Sequence, residues 1–346
     1  MRVLHVDTAM EFRGGQRQLA YLLAERPGDG WAGPVGAPLA REAGAPTVRL
    51  HPGNDPRNVL RLLNSKIRNN WDIVSAHTPH ALGASFLVGL PLVAHRRVDF
   101  PVRDVWKWRR ADHIIAVSAA VAGVLERQGL AADVVHDGVR APDGGEAPER
   151  VWERGRVGVL PDGVRAAGEG PLVVAVGALV PHKGHALLLD AMASVPGRLV
   201  VAGEGPLHAS LRARALRPDL AGRVSLPGQV AGVGALLRAA DVFVHPSREE
   251  GLGQVVLEAM ACGCRVVVTE VGGLPEALGA CGERVAPTPE ALRAGIGRAL
   301  ARPPGEGIAR AASFSVRRMV DATVEVYARV AAAGGERQQA ASRDAR

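Results

Sequence analysis

The feature that most constrains the fold is a pattern of strand, glycine-containing turn, helix and strand within residues 240–278. Residues 241–244 are mostly apolar and β-branched, which predicts a buried strand, and residues 265–269 predict a second one. Between them, residues 254–262 place apolar side chains at helical spacing, and Gly263 ends that helix. A helix that joins two strands in this way forms a βαβ unit, so we expect an α/β protein with parallel strands.

Two glutamates lie near the start of this helix. Glu250 is in the turn, and Glu258 follows eight residues later, about two helical turns along. Ligands of open parallel sheets bind at the carboxyl ends of the strands, where helix N-termini also favour anions. A sugar nucleotide can present the hydroxyl groups of its hexose and of its ribose to two such carboxylates. Without the surrounding sequence, however, two glutamates at this spacing are more often a solvated helix face.

Strand and helix patterns alternate along the rest of the chain. Its length of 346 residues is enough for two hydrophobic cores. Residues 141–170 are rich in Gly, Pro, Asp and Glu, as linkers are. We therefore predict a first domain over residues 1–160, a second over residues 161–330 and a disordered tail over residues 331–346.

Composition limits the setting and the partners. No run of eighteen apolar residues occurs, and residues 1–9 lack a signal-peptide pattern, so we predict a cytoplasmic protein. Cys262, Cys264 and Cys281 do not make a disulfide framework and are expected to be small buried residues. The net charge of +7 favours anionic partners such as nucleotide diphosphates or anionic lipid surfaces. No nucleic-acid-binding module is recognisable, so no nucleic-acid partner is expected.

The string PSREEGLGQVVLEAMACGCRVV at residues 246–267 resembles the E-x7-E motif of the retaining glycosyltransferases of family 4. Four other segments resemble the same family. They are DIVSAHTPHA at residues 72–81, ADHIIAVS at 111–118, DGV at 137–139 and VGALVPHKG at 176–184. The whole set is far more specific than the two glutamates alone.

The resemblance covers about residues 1–330. It implies the GT-B fold, in which two Rossmann-like domains face a central cleft and a C-terminal helix crosses back to the first domain. The amphipathic pattern of residues 313–330 predicts that helix. In this family the first domain binds the acceptor and the second binds the nucleotide sugar.

The implied reaction moves a sugar from a nucleotide-diphosphate sugar to a glycan or lipid-linked acceptor, with retention at the anomeric carbon. Synthesis of bacterial envelope glycans or exopolysaccharide is the expected setting. Because the sequence contains no D-x-D pair, we expect neither a metal ion nor another cofactor.

The family motifs also imply roles for single residues. Glu250 matches the residue that binds the donor sugar, Glu258 the one that binds the ribose, and Lys183 the cation on the diphosphate. Paired glycines after the first strand are expected to lie under the diphosphate. The expected donor-binding residues are Gly14, Gly15, Lys183, Arg248, Glu250, Gly251, Leu252, Gly253 and Glu258.

The position of the family's catalytic histidine is ambiguous. It lies in the loop after the strand predicted at residues 92–97, where His95 is the nearest match, but the alignment equally places Arg97 there. With His95 at that position, the expected catalytic residues are His95, Lys183 and Glu250.

One position departs from the family. Ala178 stands where an arginine usually helps to bind the diphosphate, and Arg248, Arg13 and Arg17 are candidates to replace it. Two alternatives to a transferase therefore stay open. One is a sugar-nucleotide epimerase or hydrolase on the same fold, and the other is a degenerate protein that binds nucleotide sugars without catalysis.

Residues 96–110 contain six basic residues and two tryptophans against two aspartates. Basic residues beside tryptophans suit an anionic membrane interface. This stretch therefore predicts peripheral contact with the inner face of the plasma membrane. The alternative is a solvated basic face with two partly buried tryptophans.

Overall fold

The computed structural model describes residues 1–140, 170–230 and 232–344, with side chains up to residue 335. The chain divides into two units. Unit 1 comprises residues 1–138 and 316–346, and unit 2 comprises residues 139–315. The domain boundary predicted at residue 160 lies outside the described residues.

Unit 1 contains a parallel sheet in the order β3-β2-β1-β4-β5-β6-β7. Strand β1 lies at the point where the order reverses, as in doubly wound folds. The strands are β1 (Val3–Val6), β2 (Gly30–Pro34), β3 (Val48–Leu50), β4 (Ile73–Ala76), β5 (Leu92–Arg96), β6 (His113–Ala116) and β7 (Asp133–Val134).

Strand β2 has the sequence GWAGP, which does not favour a strand, because glycine and proline are poor strand formers. Its glycines are needed for close packing. A Cβ on Gly30 would lie 2.5 Å from the ring of Trp71, and one on Gly33 would lie 2.1 Å from the ring of Trp31. Tertiary packing therefore overrides local propensity here.

The helices of unit 1 connect these strands. Helix α4 is capped by Thr78, whose hydroxyl accepts a hydrogen bond from the Ala81 N–H at 3.1 Å, and α6 is capped by Ser118 in the same way. The connecting helices are α1 (Gly14–Glu25), α2 (Leu39–Ala43), α3 (Arg57–Asn69), α4 (Pro79–Ser85), α5 (Val105–Trp108) and α6 (Ala119–Glu126).

The C-terminal helix, Val316–Asp344, belongs to unit 1, so the predicted return of the last helix to the first domain is confirmed. Its buried side chains pack with those of the central strands, among them Tyr327 and Val330 with Val3 and Ile73. The predicted disordered tail over residues 331–346 is wrong for the part up to Asp344, which is helical. The alanines, glutamines and arginines of this segment are good helix formers and allow the helix to continue.

Unit 2 contains a second parallel sheet in the order β10-β9-β8-β11-β12-β13. Alternate residues of β8 face opposite cores: Val173 and Ala175 lie in one, and Leu172 and Val174 lie in the other. Both faces of the sheet are therefore covered, as expected for a parallel sheet. The strands are β8 (Leu172–Val176), β9 (Arg198–Ala202), β10 (Val224–Gly228), β11 (Val242–His245), β12 (Arg265–Thr269) and β13 (Glu283–Val285).

The connections of unit 2 place two loops side by side. Strand β8 pairs with β9 on one side and with β11 on the other, so the order reverses at β8 and the loops after β8 and β11 share the carboxyl edge. A short 3₁₀ helix, Pro181–Lys183, lies in the first of these loops. The helices are α7 (His185–Met192), α8 (His208–Ala215), α9 (Val233–Ala239), α10 (Gln254–Ala261), α11 (Leu274–Leu278), α12 (Pro289–Ala301) and α13 (Ile308–Ala312).

Candidate functional site

Lys183 and Glu250 meet at the carboxyl edge of the unit 2 sheet. Lys183 ends the 3₁₀ helix after β8, and Glu250 lies in the turn between β11 and α10. The Lys183 Nζ lies 2.5 Å from the Glu250 Oε2, and the Nε2 of His245 lies 2.6 Å from the same oxygen. The structure thus brings together two residues that the sequence predicts to share a site, and it adds a histidine.

A glycine allows the two loops to approach this closely. Gly184 has a φ of 68°, and a Cβ on it would lie 1.9 Å from the carbonyl oxygen of Pro246. The loops are also joined by a hydrogen bond from the Arg248 N–H to the His182 oxygen at 2.7 Å. Any larger residue at position 184 would push Lys183 away from Glu250.

His245 was not among the residues expected from the sequence. It is the last residue of β11, its ring is buried, and the Ser247 Oγ lies 3.1 Å from its Nε2. Because a carboxylate can only accept, the Nε2 must carry the proton in the bond to Glu250. The position of His245, at the end of the strand that precedes the glutamate turn, is the sequence signal by which it could have been found.

The surroundings of Glu250 and His245 shift the pKa values of both side chains. Burial would raise the pKa of Glu250, but the hydrogen bond from His245 and the charge of Lys183 outweigh it and lower the pKa to about 2. Burial lowers the pKa of His245, which favours the neutral ring. The cluster therefore holds one carboxylate and one ammonium beside a neutral imidazole at pH 7.

The glycine turn after Glu250 is held against the start of α11. Gly253 precedes α10 with a φ of 93°, and a Cβ on Gly273 would lie 2.1 Å from the carbonyl oxygen of Gly251. The Gly273 N–H donates to the Glu250 carbonyl at 2.9 Å. These contacts fix the turn, and with it the predicted donor residues Gly251, Leu252 and Gly253. Glu258 lies on α10 and is partly buried.

The other histidine near this site is His185, the first residue of α7. Its ring is buried close to Gly177, whose added Cβ would lie 3.7 Å from the Nε2. Burial is the main cause of the fall of its pKa to about 4, and the nearby charge of Lys183 acts in the same direction. His185 is therefore neutral at pH 7 and adds no charge to the site.

The three arginines proposed to replace the missing one at Ala178 fall in different units. Arg248 lies in unit 2, in the same loop as Glu250, and its side chain is exposed. Arg13 and Arg17 lie in unit 1, where Arg13 pairs with Glu11 at 2.6 Å. Arg248 is therefore the candidate that lies on the same sheet edge as Lys183.

A second cluster lies in the sheet of unit 1. His95 lies within β5, inside the strand predicted at residues 92–97, and not in the loop after it where the family's catalytic histidine is expected. Its ring is buried, with its Nε2 at 3.0 Å from the Ser75 Oγ and 3.2 Å from the hydroxyl of Tyr327. The ring of His77 stacks on it with centroids 4.3 Å apart. His95 is thus embedded between strands and the C-terminal helix.

Hydrogen-bond partners determine the tautomers in this cluster. Arg97 can only donate, and its Nη1 lies 3.5 Å from the Nδ1 of His77, which must accept. His77 then carries its proton on Nε2 and donates to the Nδ1 of His5 at 3.0 Å. His5 in turn donates from Nε2 to Asp29 at 3.4 Å. A directed chain of hydrogen bonds therefore leads from Arg97 to Asp29.

Burial is the main cause of the low pKa values of the histidines in this hydrogen-bonded cluster. It lowers the pKa values of His5, His77 and His95. Burial acts in the opposite direction on Asp29, but the hydrogen bonds from His5 and Arg26 lower the pKa of this carboxyl to about 2. The three histidines are neutral at pH 7.

Arg97, and not His95, lies beside the predicted glycine loop. Its Cδ would be 3.6 Å from a Cβ on Gly15, and its Nε donates to Asp137 at 3.2 Å. Gly14 and Gly15 are the first two residues of α1 and so belong to the helix itself. Of the two residues that the sequence left open, the geometry favours Arg97 as the one facing a ligand.

The aromatic residues of the basic stretch at residues 96–110 differ in their exposure to solvent. Trp106 is 56% exposed and Phe100 is 48% exposed, whereas Trp108 is buried in the core. The Lys107 Nζ lies 5.6 Å from the centre of the Trp106 ring. One of the two tryptophans is therefore available at the surface.

The described ranges contain neither a candidate metal site nor a candidate membrane span. No group of three or more His, Cys, Asp or Glu residues is arranged to hold a metal ion in the part of the chain that the structure describes. Over the same residues, no helix combines the length and the apolar character needed to cross a membrane.

Two family models match the chain. Residues 21–141 match Glycosyltransferase Family 4, and residues 170–302 match Glycosyl transferases group 1. The D-inositol 3-phosphate glycosyltransferase of Mycolicibacterium gilvum is 30% identical over 286 residues, which cover 76% of this chain and 62% of that protein. That of Segniliparus rotundus is 37% identical over 195 residues, which cover 47% of this chain and 41% of that protein. The chain thus spans less than two thirds of the length of these relatives.

Solved structures share the fold over almost the whole chain. Anabaena Alr3699/HepE in complex with UDP matches with a TM-score of 0.76 and 21% identity over 95% of this chain and 100% of that one. A complex of the same protein with UDP-glucose matches with a TM-score of 0.77 and 20% identity, over 95% of this chain and 99% of that one. Sucrose-phosphate synthase from Thermosynechococcus elongatus matches with a TM-score of 0.73 and 19% identity, over 96% of this chain and 99% of that one. The predicted GT-B class, with two parallel sheets and their helices, is confirmed.

Proposed function

Because this chain belongs to glycosyltransferase family 4, we propose that it moves a sugar from a nucleoside-diphosphate sugar to an acceptor. In the proposed reaction the configuration at the anomeric carbon is retained and no metal ion takes part. The observation that carries the proposal is the contact between Lys183 and Glu250, at an edge of the sheet where parallel α/β folds bind ligands.

Lys183 is the proposed cation for the donor diphosphate. When the bond between the anomeric carbon and the phosphate oxygen breaks, negative charge grows on the departing diphosphate. A fixed ammonium at that point stabilises the transition state more than the ground state. The N–H groups at the start of α10, beside Gly253, add a partial positive charge.

The proposed transfer needs no enzyme nucleophile. The acceptor oxygen bonds to the anomeric carbon on the face from which the diphosphate leaves, and the departing phosphate oxygen takes the acceptor's proton. Glu250 accepts hydrogen bonds from hydroxyl groups of the donor sugar, and Glu258 accepts them from the ribose. Both carboxylates thus orient the donor.

The proposed acceptor is a glycan or a lipid-linked sugar of bacterial envelope or exopolysaccharide synthesis. Two relatives are D-inositol 3-phosphate glycosyltransferases by name, so a phosphorylated polyol belongs in the acceptor panel as well. In unit 1, Arg97 is the proposed ligand-facing residue, since it lies beside Gly15 at the start of α1.

We place the enzyme in the cytoplasm, in peripheral contact with the inner face of the plasma membrane. Exposed Trp106, which lies beside Lys107, and exposed Phe100 suit an anionic bilayer surface, to which each basic residue contributes about 1 kcal/mol. Sedimentation with phosphatidylglycerol vesicles should show binding that salt weakens and Trp106→Ala reduces. Equal binding to phosphatidylcholine vesicles would contradict an electrostatic contribution.

Thermal shift with a panel of nucleotide sugars, followed by transfer assays, tests the function. One nucleotide sugar is expected to raise the melting temperature, and transfer from it should survive EDTA. Glu250→Ala should remove transfer while the protein stays folded. Transfer that is lost in EDTA and restored by manganese or magnesium would contradict a metal-independent reaction.

The same assays separate the two alternatives. Consumption of the donor at full rate with no acceptor present would indicate an epimerase or hydrolase. Tight donor binding with no turnover under any acceptor would indicate a non-catalytic binding protein, which Ala178 in place of the usual arginine makes worth testing.

A further inference from the structure

Glu250 shares one carboxylate oxygen between two donors. Its Oε2 lies 2.5 Å from the Lys183 Nζ and 2.6 Å from the His245 Nε2. Since the carboxylate only accepts, both nitrogens contribute their hydrogen to these bonds. Glu250 is therefore held from two sides.

The two donors differ in how easily they can move. Lys183 reaches Glu250 through a flexible four-carbon stem from a short 3₁₀ helix, and its side chain is 20% exposed. His245 is the last residue of β11, where it pairs with Val268 of β12, and its ring is buried. Lys183 can change partner by rotating its side chain, whereas His245 is fixed by the sheet.

A donor diphosphate would compete with Glu250 for the ammonium, because charge-assisted hydrogen bonds to phosphate are among the strong ones. We propose that Lys183 changes partner from Glu250 to the diphosphate when the donor binds, and that His245 is the positioning residue that then keeps Glu250 aimed at the sugar. This inference deepens the proposed function and rests on it.

The exchange has a consequence for recognition. When Lys183 leaves, one acceptor position on the Glu250 Oε2 becomes free, and a hydroxyl group of the donor sugar can donate to it. The bond from the His245 Nε2 keeps the carboxylate in place meanwhile. The sugar is therefore recognised only after the diphosphate has bound, so a free sugar binds poorly on its own.

Calorimetry with UDP and UDP-glucose, the pair found with Anabaena Alr3699/HepE, tests this order. In His245→Phe, which keeps a ring but has no N–H, UDP affinity should stay within about threefold of wild type. The ratio of UDP-glucose to UDP affinity should fall about tenfold, the usual scale of one hydrogen bond to a charged group. His245→Gln, which restores a donor, should recover most of the ratio.

Thr269→Val is the matched control, because Thr269 supports the backbone of His245 without touching Glu250. This variant should lower the melting temperature and leave the affinity ratio unchanged. An unchanged ratio in His245→Phe, or an equal loss of UDP and UDP-glucose affinity, would overturn the role of His245.

Nitrogen-15 spectra of the wild-type chain give a second readout that needs no substitution. His245 should show the Nε2–H tautomer with and without UDP. The Lys183 ammonium, one of only three lysine signals with Lys66 and Lys107, should shift on saturation with UDP. A signal from Lys183 that does not move, or an Nδ1–H tautomer of His245, would overturn the proposal.

Glu250→Gln separates this inference from the function on which it rests. If this variant keeps the full preference for UDP-glucose over UDP, Glu250 does not bind the sugar and the proposed site fails. If the variant loses the preference and His245→Phe does not, the site stands and only the positioning by His245 fails.

Discussion

The two clusters of ionisable side chains occupy comparable places, at the carboxyl edge of the central strands of each sheet, yet they differ in charge and exposure. In unit 2, Lys183 and Glu250 are charged and their side chains are 20% and 15% exposed. In unit 1, His77 and His95 are neutral, and no more than 8% of either is exposed. A partly open charge pair can exchange a partner for a ligand, whereas a closed neutral network mainly stabilises the fold.

The comparison shows that the type of residue is a weaker guide to function than its surroundings. A histidine near a loop of the first domain is an attractive catalytic candidate, as His95 is by resemblance. In the structure its ring contacts Ser75 and Tyr327 inside the unit. Arg97, two residues further along, is the residue that lies beside α1.

The largest expected effect is that of Lys183→Ala. Loss of a fixed charge at a developing anion costs about 10²–10³ in rate, so transfer should fall by that factor and diphosphate binding should weaken with it. Lys107→Ala, the same change in unit 1, is the control and should leave transfer to a soluble acceptor unchanged. Unchanged UDP affinity in Lys183→Ala, measured by calorimetry, would mean that the phosphate binds elsewhere. The unit 2 cluster would then not differ from the unit 1 cluster in ligand binding.

The next effect concerns the arginine that the family has and this chain lacks. If Arg248 supplies the second cation, Arg248→Ala should weaken UDP binding about tenfold, because a hydrogen bond from a charged group is lost. In that case Ala178→Arg should not tighten binding, since the added guanidinium meets a like charge. Tighter binding in Ala178→Arg with no loss in Arg248→Ala would show that the position is vacant.

The unit 1 cluster should respond in stability and not in donor binding. Tyr327→Phe removes the hydroxyl that contacts Ser75 at 2.7 Å and His95 at 3.2 Å. The free energy of unfolding of unit 1 should fall by about 1–2 kcal/mol, the scale of a lost buried hydrogen bond. Urea titration measures the loss of stability, and calorimetry with UDP tests whether donor binding stays unchanged. A tenfold loss of UDP affinity without loss of stability would give this cluster a part in binding.

The smallest effect expected is a dependence on mild acid. The pKa values of His5, His77 and His95 are lowered by burial, so the unfolded chain binds more protons than the folded one below pH 6.5. The stability contributed by the neutral rings is complete above pH 6.5 and is lost as the pH falls. Each ring adds a slope of up to about 1.4 kcal/mol per pH unit.

Tryptophan fluorescence can follow this acid response, because four of the five tryptophans, Trp31, Trp71, Trp106 and Trp108, lie in unit 1. Urea midpoints should fall between pH 7 and pH 5, and His77→Phe should reduce the fall. Glu250 provides the contrast, since the stability that it contributes is complete above about pH 4.5 and is lost only as the pH falls from there toward its folded-state pKa of about 2. Constant midpoints between pH 7 and pH 5 would mean that the network does not respond to protons.

Much of the fold follows from local patterns in the sequence. The turn that carries Glu250 and the helix after it are where the spacing predicts them, and Lys183 contacts Glu250 as their shared site predicts. Local patterns do not predict strands β2 and β13. Strand β2 is rich in glycine and proline, which strands usually avoid, and Gly30 in it packs against Trp71, which lies too far along the chain for a local window to contain.

The remaining parts of the site depend on contacts between distant residues. His245 has no motif of its own, and its role follows only from the 2.6 Å contact with Glu250. His95 and Arg97 cannot be separated by alignment, because the burial that distinguishes them is provided in part by Tyr327, more than two hundred residues later in the chain. Tertiary packing, and not local sequence propensity, therefore determines the role of His245 and distinguishes His95 from Arg97.

The membership of the C-terminal helix in unit 1 has a consequence for synthesis on the ribosome. Residues 139–315 of unit 2 are translated between the two parts of unit 1. During synthesis, residues 1–138 therefore stay without the C-terminal helix until the end of the chain leaves the ribosome. Until then the helix does not cover Val3 and Ile73, which belong to the same core cluster. Domains usually complete in the order of their synthesis. Here the unit that begins first finishes last, so a premature stop after residue 315 damages the N-terminal unit and spares the continuous one.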